Sequence, residues 1–97
     1  MLTPTGINKT AQAVLGLISH ATYTLGGVTS TAAIYKTEVE QNVLKVYLFF
    51  DEAAAGQFTN FKLIDKDGEV FADRPDNITK PSTKGLWIMF KFAIVEV

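Results

Sequence analysis

Residues 86–95 read LWIMFKFAIV, the most apolar run in the chain. The architecture turns on this run. As a strand it has two faces, because successive side chains point to opposite sides. Leu86, Ile88, Phe90, Phe92 and Ile94 line one face, and Trp87, Met89, Lys91, Ala93 and Val95 line the other. The run is far shorter than the ~20 apolar residues a membrane helix needs. Apolarity on both faces has two readings. The strand is central and covered twice, by a helix on one side and loops on the other, or its second face meets a partner.

The stretch 43–50, VLKVYLFF, repeats this grammar. Leu44, Val46, Leu48 and Phe50 point one way, and Val43, Lys45, Tyr47 and Phe49 the other. Gln41-Asn42 is a hairpin turn before it. The preceding Ala33, Tyr35, Thr37 and Val39 alternate with Ile34, Lys36, Glu38 and Glu40, which predicts one half-buried strand with a polar outer face. Tyr23 and Leu25, with β-branched Thr22 and Thr24, suggest a short strand closed by Gly26-Gly27. Phe58 to Ile64 and Glu69 to Ala72 are the next two strands. "DEAAAGQ" (51–57) reads as a loop with room for a helical turn. "DRPDNITKPSTKG" (73–85), rich in Pro, Asp, Asn and Gly, predicts a long connection.

At the other end the signal changes period. Thr3 is a helix cap, with Pro4 at the first helical position. Ile7, Ala11, Val14, Leu15 and Ile18 form one apolar stripe. The helix should cover about 4–19, ending at Ser19 or His20, where a cationic side chain suits the helix dipole. Gly16 costs it about 1 kcal/mol against Ala and is a candidate for close packing on a sheet. One helix followed by about six strands, from about 21 to 95, is an α+β pattern. The expected fold is an N-terminal helix on a mostly antiparallel sheet, or a small sandwich, in a single domain of 97 residues.

Composition narrows the function. Nine basic and ten acidic side chains give a net charge of −1, without a basic cluster, and Arg74 is the single arginine. That argues against nucleic acid as a partner. With no cysteine, disulfides, thiolate zinc sites and cysteine nucleophiles are excluded. The N-terminus lacks the basic region of a signal peptide, and no membrane span is expected. "KLIDKDGEVFAD" (62–73) holds the acids Asp65 and Asp67 beside Gly68. A calcium loop would place its glycine at position six, and here it falls at position four. Two carboxylates at a solvated tip are also poorly placed for acid–base catalysis. The residues fit a hairpin, with Asp67-Gly68 as its turn. The lone His20 has no second ligand or nucleophile in the pattern around it. The expectation is a protein without enzymatic activity, metal or cofactor. Its candidate interface is Tyr47, Phe49, Trp87 and Met89, which share one parity on two strong strands. Exposed Trp87 or Tyr47 stacking on a sugar is the alternative, a carbohydrate- or ligand-binding module.

Three segments resemble the N-terminal domain of phage tail-fibre (tail-collar) proteins. "LTPTGINKTAQAVLG" (2–16) is similar to that family's opening, a Leu-Thr with Gly three residues on and an Ala-rich helix. "GQFTNFKLIDKDGEVFAD" (56–73) resembles its strand, Asp-x-Asp-Gly turn and strand. "KPSTKGLWIMFKFAIVEV" (80–97) resembles its Lys-Pro…Gly segment and apolar strand. The chain departs from the pattern where Lys62-Leu63-Ile64 replaces the family's Gly-Leu-Phe and where "LGGVTST" (25–31) replaces its Gly-Asp-Gly, and the family's receptor recognition, which belongs to a long shaft beyond this domain, is not carried over. The resemblance implies a structural module of a phage or prophage tail, fibre or baseplate. Such a module is made in the bacterial host cytoplasm and carried in the virion tail. Its partners would be copies of itself and other tail proteins.

Overall fold

The computed structural model describes residues 1–95. Helix α1 spans Pro4–Leu17. Seven strands follow: β1 Ile18–Leu25, β2 Val28–Ala32, β3 Lys36–Glu40, β4 Val43–Phe50, β5 Gly56–Asp65, β6 Val70–Lys80 and β7 Leu86–Ala93. They form a four-stranded sheet, β2-β1-β5-β6, and a three-stranded sheet, β3-β4-β7. Every pairing is antiparallel. The α+β class and the helix on antiparallel sheet are as expected, with one strand more than anticipated.

The inner faces of the two sheets make the core. Ala21 of β1, Phe58, Phe61 and Leu63 of β5, Val46, Leu48 and Phe50 of β4, and Ile88 and Phe90 of β7 are all buried in one cluster. The inward parity read from residues 43–50 and 86–95 is therefore the parity observed. Phe58 and Phe61 are three residues apart, yet both face inward with rings 6.0 Å apart and nearly parallel. A β-bulge allows it. On β5, Asn60 and Phe61 together oppose the single residue Tyr23 of β1. Asn60 takes a left-handed φ of 53°, which Asn tolerates better than most side chains.

The helix begins as expected. Thr3 Oγ1 accepts from the Gly6 N–H at 3.0 Å, and Pro4 stands at the first helical position. Ile7, Val14 and Leu15 are half-buried and Ala11 is fully buried, so the stripe faces the sandwich. The helix stops two residues early. Ile18 is extended, and the Leu17 carbonyl accepts from the Lys66 N–H at 3.0 Å, which binds the helix end to the β5–β6 hairpin. Ser19 and His20 lie in β1, with Ser19 Oγ 3.0 Å from His20 Nδ1. A Cβ on Gly16 would meet no atom within 4 Å, so that glycine does not mark close packing.

Three further expectations are corrected. The run 33–40 is broken: β2 ends at Ala32 in one sheet and β3 starts at Lys36 in the other. The segment 73–85 is mostly strand, since β6 continues to Lys80. β6 is an edge, where a proline costs no ladder hydrogen bond. Pro75 sits at a bulge in which Pro75 and Asp76 together oppose Asn60. The last strand ends at Ala93; Ile94 instead exchanges hydrogen bonds with Asn42, its N–H on the Asn42 carbonyl and its carbonyl on Asn42 Nδ2.

Candidate interaction surface

The outer face of β3-β4-β7 carries the notable chemistry. Among the described residues β7 pairs only with β4, so it is an edge strand, and its outer-face residues Trp87, Met89, Lys91 and Ala93 are exposed. Tyr47 lies opposite Met89 and Phe49 opposite Trp87. The register thus brings all four residues singled out by parity onto one patch. Trp87 remains 52% exposed, Phe49 39% and Met89 36%.

Trp87 is the centre of this patch. Its ring centroid lies 4.7 Å from Phe49, 5.0 Å from Tyr35 and 6.2 Å from Tyr47, the last two edge-on. Edge-on and tilted aromatic pairs are favoured by the ring quadrupole and hold the rings in place. Lys36 Nζ lies 4.8 Å from the Tyr47 centroid and 5.8 Å from that of Trp87. Lys36 also pairs with Glu38 at 3.1 Å, and the Tyr47 hydroxyl donates to Glu38 Oε2 at 3.5 Å. A polar rim therefore borders the rings. Along the same face Lys45 lies between Lys91 on β7 and Glu38 on β3, so that end is of mixed charge, while Asp51 and Glu52 follow β4 at the other end.

Tyr35 and Lys36 escaped the sequence reading. Simple alternation put Tyr35 on the inner face with Thr37 and Val39. The break between β2 and β3 shifts the parity, so that Ile34 packs on the core and both Tyr35 and Lys36 reach Trp87. The Tyr35 N–H, on the Tyr47 carbonyl at 2.8 Å, fixes that arrangement. Tyr35 beside a strand break, close in sequence to three charges, was the available signal.

The hairpin acids serve the backbone. Asp65 Oδ1 accepts from the Asp67 N–H at 2.9 Å and the Glu69 N–H at 3.0 Å. The Gly68 N–H closes the turn onto the Asp65 carbonyl at 3.1 Å. Lys66 and Asp67 are thus the central residues, and Gly68, at φ 81°, follows them. The turn lies one residue earlier than the Asp67-Gly68 pair expected. Among the described residues no three His, Cys, Asp or Glu side chains gather as a metal site.

A groove of about 600 Å³ lies between the helix start and the β3–β4 turn, lined by Leu2, Pro4, Ile7, Val39, Asn42 and Ile94 among others. No titratable side chain among the described residues lines it. No helix among the described residues is long and apolar enough to cross a membrane. Comparisons of the chain with family models, curated proteins and solved structures found no match.

Proposed function

We propose that this chain is a non-enzymatic assembly module that docks to protein partners through the aromatic face of β3-β4-β7. The carrying observation is the open cluster of Tyr35, Tyr47, Phe49 and Trp87 with Met89 beside it. Rigid, half-exposed aromatics ringed by polar groups are what hot spots of protein interfaces are made of. The setting we infer, a phage or prophage tail, fibre or baseplate, rests on the three segments that resemble the tail-collar domain. The partners are then neighbouring tail proteins or further copies of the chain. Asp51 and Glu52, beyond the Phe49 end of the patch, favour basic groups on the facing rim of a partner.

The test is calorimetric titration against purified proteins encoded beside this chain, with Trp87→Ala and Tyr35→Ala as variants. Binding weakened about tenfold or more by Trp87→Ala supports the reading, since hot-spot truncations exceed ~1.4 kcal/mol. The rival reading, a carbohydrate-binding module, draws on the polar rim of Lys36, Glu38 and the Tyr47 hydroxyl beside Trp87. Glycan binding that quenches tryptophan fluorescence, with protein binding unaffected by Trp87→Ala, would replace the assembly reading.

A further inference from the structure

Each open sheet has two edges, and an edge strand presents unpaired backbone groups unless something blunts it. Three of the four edges here are blunted. β6 carries Asp73, Arg74, Pro75 and Asp76 and is interrupted by bulges. β3 has Lys36, Glu38 and Glu40 among its five residues. β7 is capped by Arg74 Nη1, which donates to the Met89 carbonyl at 2.9 Å. β2, Val28-Thr-Ser-Thr-Ala32, has no charge, no proline and no bulge.

The hairpin fixes which way its backbone points. Gly26 and Gly27, at φ 59° and 84°, form a two-residue turn between Leu25 and Val28. Residues flanking such a turn exchange hydrogen bonds, and bonded and non-bonded pairs then alternate. Val28, Ser30 and Ala32 thus bond to β1, while the N–H and C=O groups of Thr29 and Thr31 point outward. Among the described residues β2 pairs with β1 alone, and Thr29 and Thr31 are exposed.

We infer that β2 pairs antiparallel with β2 of a second copy about a two-fold axis at Ser30. This pairing is independent of the aromatic face. A two-fold through Ser30 sets Thr29 against the second copy's Thr31, so that the outward groups exchange hydrogen bonds. Ser30 meets Ser30 as a non-bonded pair on the axis, and Val28 meets Ala32. No like charges oppose each other, whereas the same operation on β3 would set Glu38 against Glu38. The pairing also covers Val28, an apolar edge-strand residue left 65% exposed beside the Gly26-Gly27 turn. A single pair of five-residue strands is a small contact beside the ~1,000 Å² expected of a stable interface, so weak self-association is expected.

Sedimentation across micromolar to millimolar concentration tests this, with circular dichroism confirming that each variant folds. A reversible dimer is expected. Thr31→Pro removes an outward donor without touching the β1 ladder, and Ser30→Lys sets two cations on the axis. Each should weaken dimerisation about tenfold or more, while Trp87→Ala leaves it unchanged. Ser30→Cys should give a disulfide-linked dimer on mild oxidation, because the ~4.5 Å Cα spacing of a non-bonded pair suits a disulfide. Val28→Cys, facing Ala32, should not. A wild-type protein that stays monomeric at millimolar concentration overturns the inference. So does a dimer lost on Trp87→Ala but kept in Ser30→Lys, which would move self-contact to the aromatic face.

Discussion

A Cβ built on Gly85 would lie 2.9 Å from Cε1 of Phe49, so the Phe49 ring rests against the Gly85 backbone. The glycine just before β7 therefore sets the pose of one ring of the aromatic patch. Gly85→Ala should push Phe49 aside at a cost of about 1 kcal/mol, the low end for overpacking because the ring is partly exposed. Since Phe49 lies 4.7 Å from Trp87, the tryptophan emission maximum should move as well. Thermal denaturation followed by fluorescence reads both effects; an unchanged spectrum would mean the ring does not depend on Gly85.

Asp65 holds the β5–β6 hairpin through two backbone N–H groups. Asp65→Ala leaves both without that acceptor and should cost about 1–2 kcal/mol, partly recovered by water at this exposed turn. Asp65→Asn keeps one acceptor oxygen and should lose less. Urea denaturation of the two variants checks the order. Calorimetry with calcium should show no heat of binding for the parent protein, whose Asp65 oxygen is engaged by its own chain.

Lys80 is the buried charged residue of the described chain, 3% exposed. Its Nζ donates to the Ala54 and Pro81 carbonyls, tying the end of β6 to the loop after β4. Lys80→Met preserves the stem but leaves those carbonyls unpaired, at a cost of about 1–3 kcal/mol. The loop at 51–55 should become the first site of proteolytic cleavage. Mass spectrometry of a timed digest would show it, and cleavage elsewhere first would count against the tether.

Asn60 carries the bulge that turns both Phe58 and Phe61 inward. Asn60→Gly should be nearly neutral, because glycine adopts positive φ freely. Asn60→Val should cost about 1–2 kcal/mol, the penalty for a left-handed conformation in a branched residue. Equal denaturation midpoints for the two variants would contradict this account of the bulge.

The same bulge marks where the sequence stopped being legible. Alternation alone located the inner faces of β4 and β7, because neither strand has an irregularity and each side chain follows its neighbour's parity. The helix stripe was readable for the same reason at its own period. Phe58 and Phe61, spaced by three, fit no uniform strand, and only the left-handed backbone at Asn60 reconciles them. Tyr35 was misplaced because a chain crossing between sheets resets parity without changing composition. Pro75 made residues 73–80 look like a loop, since local grammar cannot tell an edge strand from a connection. The Tyr47, Phe49, Trp87 and Met89 set was accessible because its strands are regular. Lys36 was not, because its reach to Trp87 depends on the fold of a different segment.

Only Ala11 of helix α1 is fully buried. The sandwich closes its interior sheet against sheet, so the helix contributes little to sealing it. Helix and sandwich are consequently unequal partners in cooperativity. Opening α1 exposes a narrow apolar stripe, while opening either sheet exposes the whole interior, so amide hydrogens of the helix exchange with solvent well before those of β4 and β5.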